Sequence, residues 1–116
     1  YEREEDNVMK DTKYELIIVI ANQGYSEMVM DAARSQGAGG GTVIHAKGTG
    51  LEKAEKFLGV SIADEKEMIF IVAKSEMKNA IMRSIMDNAG LGSKAKSVVF
   101  SLPVTDTAGL RLQEIQ

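Results

Sequence analysis

Three short runs in this chain are apolar at odd and even positions alike: Leu16-Ile17-Ile18-Val19-Ile20-Ala21, Met68-Ile69-Phe70-Ile71-Val72-Ala73 and Ser97-Val98-Val99-Phe100-Ser101-Leu102. Runs of this length, rich in β-branched residues, mark strands. A sheet packed by helices on one face needs apolar residues only at alternate positions. These strands therefore need cover on both faces, and two helices can cover only one. The simplest cover for the second face is the same face of another copy, so the sequence predicts a homo-oligomer. A mildly sticky monomer, or cover by the C-terminal tail, are the alternatives.

The remaining sequence supplies the two helices and one more strand. After the first run, Asn22-Gln23-Gly24 turns the chain. Tyr25, Met28, Val29, Ala32 and Ala33 then recur at helical spacing, with Ser26 expected as N-cap and Gly37 as the stop. The glycine-rich stretch 37–41 leads into a strand at Thr42-Val43-Ile44-His45-Ala46, ended by Lys47-Gly48-Thr49-Gly50. Within 50–66, Leu51, Ala54, Phe57 and Leu58 have helical spacing and predict one or two helical turns, supported by a Glu52–Lys56 pair. A second helix is expected from Ser75, as its cap, through Met77, Ala80, Ile81, Ile85 and Met86 to about Asn88, broken by Gly90-Leu91-Gly92. Pro103 ends regular pairing or marks an edge strand. The order is β-α-β-β-α-β. It predicts an α+β, ferredoxin-like sandwich, with a four-stranded antiparallel sheet and both helices on one face. Residues 1–13 read as a polar extension with a frayed turn of helix, 14–104 as the domain and 105–116 as a tail.

Composition narrows the function. The chain has 116 residues, no cysteine, one histidine, and 44% hydrophobic and 27% charged residues. This fits one globular domain and removes disulfides, thiolate metal sites and cysteine nucleophiles. Of the net charge of −3, residues 1–13 contribute −2, from five acids and three bases, so the body is near neutral. A near-neutral body with 5% aromatic residues and no tryptophan argues against a nucleic-acid surface. No apolar run reaches the roughly 18 residues of a membrane span, and the reading is a cytoplasmic protein.

The phrase Gly41-Thr42-Val43 followed by Lys47-Gly48-Thr49-Gly50 resembles the second strand of the PII family of signal transduction proteins and its exit into the T-loop. The stretch Ile85-Met86-Asp87-Asn88-Ala89-Gly90-Leu91-Gly92, then Lys96-Ser97-Val98-Val99-Phe100, resembles the end of that family's second helix, its B-loop and its fourth strand. The resemblance runs from about Tyr14 to Leu102. It implies a homotrimer that binds an adenine nucleotide between subunits and contacts a partner, a membrane transporter or an enzyme, through the T-loop at about 50–66. A transporter partner would recruit the protein to the membrane. The base and ribose side would involve Thr42, Gly48, Thr49 and Gly50, and the phosphate side Gly92, Ser93, Lys94, Ala95 and Lys96. Lys47, Lys94 and Lys96 flank two glycine turns that the fold is expected to bring toward one edge, where backbone N–H groups can cradle an anion.

The chain also departs from the family. Residues 50–66 form a shorter loop without tyrosine, so uridylylation of a loop tyrosine is unavailable. Ala95 stands where glycine is expected, and the arginines that follow the fourth strand are missing, with Arg111 the only nearby basic residue. These departures weigh against ATP together with 2-oxoglutarate. They leave AMP, ADP or ATP alone, a cyclic nucleotide or an unrelated small anion. No catalytic constellation is evident, so the reading is a regulator rather than an enzyme; no resident cofactor or metal is assigned. The alternatives are a small nucleotide-hydrolysing enzyme and a metal-handling trimer of the same architecture. His45, a lone histidine beside no clustered acids in sequence, reads as structural rather than as a base or metal ligand. Met28, Met30, Met77, Met82 and Met86 read as helix packing.

Overall fold

The computed structural model describes residues 9–10, 13–48, 55–57, 60–62 and 64–110. The elements are β1 (Met9–Lys10), β2 (Tyr14–Asn22), α1 (Ser26–Arg34), β3 (Thr42–Gly48), β4 (Glu55–Phe57), β5 (Val60–Ile62), β6 (Asp64–Lys74), α2 (Ser75–Ala89), β7 (Val98–Pro103) and β8 (Asp106–Thr107). The main sheet is antiparallel, in the order β3-β6-β2-β7. The expected α+β sandwich is therefore present, with β2 and β6 at the centre. Pro103 lies on the edge strand β7, where a missing N–H costs least.

Both helices pack on one face. Ile17, Val19 and Ala21 of β2 and Ile69, Ile71 and Ala73 of β6 form a single buried cluster with Val29, Met30, Ile81 and Ile85 of the helices. The opposite face is apolar as well. Cross-strand register aligns three rows: Phe70-Ile18-Phe100, Ile44-Met68-Ile20-Val98 and Val72-Leu16-Leu102. Their central members are half-buried, while Ile44, Val98, Phe100 and Leu102 remain 42–52% exposed. Both faces of this sheet thus carry apolar side chains, and the described residues of one chain cover one of them.

Several local expectations are corrected. The N-cap of α1 is Tyr25 and that of α2 is Lys74, neither with a side-chain cap bond, so Ser26 and Ser75 are first helical residues. β6 runs into α2 without a loop, and the Ser75 amide donates to the Lys13 carbonyl at 2.6 Å, satisfying a helix-end donor from a neighbouring segment. Gly37 does stop α1: its φ is +100°, and the amides of Gln36, Gly37 and Ala38 close onto the last-turn carbonyls. The helical turns expected within 50–66 are replaced, over the described residues, by an antiparallel hairpin pairing Glu55 with Ile62 and Phe57 with Val60. Val60 and Ile62 are β-branched, and cross-strand pairing prevails over the weak helical spacing of Leu51, Ala54 and Phe57. Lys56 lies in β4, and Glu52 lies outside the described residues. The turn of helix expected in 1–13 is likewise absent at Met9–Lys10, which pair with Asp106–Thr107 of the tail. Met30 is buried and Met77 and Met82 pack on the core, whereas Met28 and Met86 are exposed.

Candidate functional site

Thr42 lies midway along the sheet, level with Phe70 and Ile18, whereas Lys47–Gly48 and the 92–96 turn lie toward the same end of the sheet but on opposite edges. β3 ends at Gly48, level with Asp64 of β6; β7 begins at Val98, level with Ile20 of β2 and Met68 of β6. Three inter-strand steps separate β3 from β7, about 14 Å at the usual strand spacing. Within one chain they lie on opposite edges: β3 pairs with β6, and β2 lies between β6 and β7.

On the β3 side, Thr42 and Lys47 are exposed and Gly48 is half-buried. Lys47 stands opposite Glu65, and Gly48 opposite Asp64. Thr49 and Gly50 lie outside the described residues. On the other edge, Gly92–Lys96 form a turn bonded to itself. The Ser93 amide donates to the Gly90 carbonyl at 3.0 Å, and its hydroxyl donates to the same carbonyl at 2.8 Å. That hydroxyl accepts the Ala95 amide at 3.2 Å and the Lys96 amide at 3.4 Å. Ala95 is buried, and Lys94 and Lys96 are exposed. Lys96 has φ +49°, the only described non-glycine residue with positive φ. A β-carbon in this region costs about 1 kcal/mol, and such outliers gather at functional turns. Gly92 has open space around it, so packing does not require glycine there.

Sequence reading missed the residue that anchors this turn. Asn22 ends β2; its amide donates to the Ala95 carbonyl and its Nδ2 to the Lys94 carbonyl, both at 2.9 Å. Asn22-Gln23-Gly24 signals only a turn, and nothing local points to a segment some seventy residues away. The sequence also gives no sign that Glu67 is buried or that it faces His45; their Oε2 and Nδ1 atoms are 3.8 Å apart. Among the described residues no group of three or more His, Asp or Glu side chains could hold a metal ion, and no helix is long and apolar enough to cross a membrane.

The family model of nitrogen regulatory protein P-II matches residues 14–114. The chain belongs to that family, whose members are regulatory proteins rather than enzymes. Among solved structures, Arabidopsis thaliana PII bound to citrate matches with a TM-score of 0.60 and 25% identity, over 82% of this chain and 80% of that one. CutA from Synechococcus elongatus PCC7942 matches with a TM-score of 0.65 over 90% of this chain and 88% of that one; at 6% identity the likeness is one of fold. No relative was found among curated proteins.

Proposed function

We propose that this chain is a ligand-responsive regulator without turnover of its own. It assembles as a homotrimer and binds a small anionic ligand, an adenine nucleotide such as AMP, ADP or ATP, in clefts between subunits. It controls a partner, a membrane transporter or an enzyme, through the segment at 50–66. It acts in the cytoplasm, at the membrane when a transporter recruits it. Residues 14–104 form the working domain, flanked by the 1–13 extension and the 105–116 tail.

The observation that carries this reading is the separation of the two candidate segments. Thr42, Lys47 and Gly48 lie on one edge and Gly92–Lys96 on the other, which supports a cleft formed by two copies. The uncovered apolar face supplies a reason for copies to associate. Lys94 and Lys96 present exposed ammonium groups from a turn held rigid by Ser93 and Asn22. Preorganised donors of this kind favour an anion such as a phosphate. The citrate in the Arabidopsis structure, a small polyanion, supports the same ligand class. Thr49 and Gly50 complete the proposed cleft where the chain leaves β3, so occupancy there can bias the 50–66 segment if its conformations differ in affinity.

Titration calorimetry with AMP, ADP and ATP tests the site. Wild type is expected to bind at least one of them, and Lys96→Ala and Gly50→Val to bind about tenfold more weakly or worse. Normal binding by both variants would overturn the cleft assignment. Phosphate release sustained over many turnovers and abolished by His45→Ala would overturn the regulator reading.

A further inference from the structure

Glu67 is a buried carboxylate with an unfilled position. It lies on the central strand β6 directly opposite His45 on the edge strand β3, both on the helix-facing side of the sheet. Glu67 is 6% exposed, and its Oε1 is buried with no hydrogen-bond partner. Its Oε2 lies 3.8 Å from Nδ1 of His45, whose side chain is 72% exposed. That distance is an ion-pair distance but too long for a hydrogen bond.

The surrounding charges leave His45 as the partner. Among the described residues, no other cationic group lies within ion-pair distance of Glu67. Lys47, two residues along β3, stands opposite Glu65. Lys66 belongs to the other face of β6 and donates to Asn22. The β2 residue opposite Glu67 is Ala21. On α1, Arg34 is paired with Glu27 at 3.7 Å and Asp31 at 3.4 Å.

We propose that His45 and Glu67 form a pH-sensitive clasp across β3 and β6, at the base of the segment that joins them. A carboxylate removed from water without a partner is costly. Histidine is the side chain that ordinarily gains or loses its charge between about pH 5 and pH 8. With imidazolium at His45, a swing of about 1 Å by its exposed ring brings the pair to charge-assisted hydrogen-bond length. With neutral imidazole, Glu67 has no cation beside it among the described residues. The contact is thus charge-assisted with imidazolium and not with neutral imidazole. His45 lies three residues before Gly48, and Glu67 three after Asp64. Closing the clasp therefore fastens the two strand ends from which the intervening segment starts and to which it returns. This proposal does not depend on any ligand.

A double-mutant cycle on the full chain tests it, using wild type, His45→Gln, Glu67→Gln and the double variant in urea unfolding at about pH 5 and about pH 8. The two substitutions are expected to couple by about tenfold in the folding equilibrium at the acid value and not at the basic one. Amide protection at Ala46, Lys47 and Gly48 should rise on acidification in wild type more than in His45→Gln. Should Glu67→Gln fail to fold, the comparison of wild type with His45→Gln decides. Equal coupling at the two pH values, or a His45→Gln protection profile that superimposes on wild type, overturns the clasp.

Discussion

The Nζ of Lys66 donates a 2.7 Å hydrogen bond to Oδ1 of Asn22. Asn22 in turn holds the carbonyls of Lys94 and Ala95. One side chain thus ties β6 to the 92–96 turn across the end of β2. Asn22→Ala removes both side-chain bonds while the Asn22 amide keeps its own. The expected loss is about 1–2 kcal/mol, read as a lower urea midpoint with unchanged slope. Lys66→Met removes one bond and should cost less. Amide exchange should quicken at Lys96 and Ser97 in Asn22→Ala.

The apolar face of the sheet gives a second prediction. Ile18 lies between Phe70 and Phe100 at the middle of that face. A charge there would oppose burial against another copy. Light scattering on size exclusion is expected to give a trimer for wild type and a smaller species for Phe100→Glu, whose side chain is 47% exposed in the single chain and therefore leaves the subunit folded. A wild-type monomer at micromolar concentration would contradict the expectation.

Gly90 and Gly92 should separate sharply. A methyl group at Gly90 would overlap the Met86 carbonyl, a backbone atom that cannot turn aside. Gly90→Ala is expected to destabilise by about 2 kcal/mol. Gly92→Ala meets open space and should leave the thermal midpoint within experimental error. A loss of nucleotide affinity in Gly92→Ala would then report on the ligand alone.

Ser97 offers a gain rather than a loss. It is fully buried, and its Oγ has no hydrogen-bond partner. Ser97→Ala removes a desolvated group and should stabilise by about 1 kcal/mol, measured by the urea midpoint. A loss of that size would mean that the hydroxyl has a partner after all.

The sheet was legible because β2, β6 and β7 each hold an apolar, β-branched run, while which alternate residues, Ile17, Val19, Ile69 and Ile71, face the helices is seen in the fold. The helix registers were legible from Val29, Ile81 and Ile85. The β4–β5 hairpin was not: strands of three residues carry little periodicity, and Leu51, Ala54 and Phe57 happen to share a helical spacing. The serines at 26 and 75 signalled caps, yet Tyr25 and Lys74 hold those positions. At Ser75 the first turn is satisfied by the Lys13 carbonyl, a contact made only after folding. For the candidate site, Lys47 and Lys96 could be nominated from sequence, but their placement on opposite edges depends on strand order, a property of the whole sheet. Asn22 and Glu67 were missed for the same reason, since their partners lie in distant segments.

The opposite-edge arrangement has a consequence for stoichiometry. Each chain carries one β3 edge and one 92–96 turn, so in the proposed trimer a cleft built from both lies at each head-to-tail junction of two copies. A closed ring has as many such junctions as chains, whereas an open string has one fewer. Sites are then counted by junctions, and full occupancy per chain becomes a measure of ring closure. Dilution or a ring-breaking substitution would lower binding capacity first, leaving the affinity of each surviving junction unchanged.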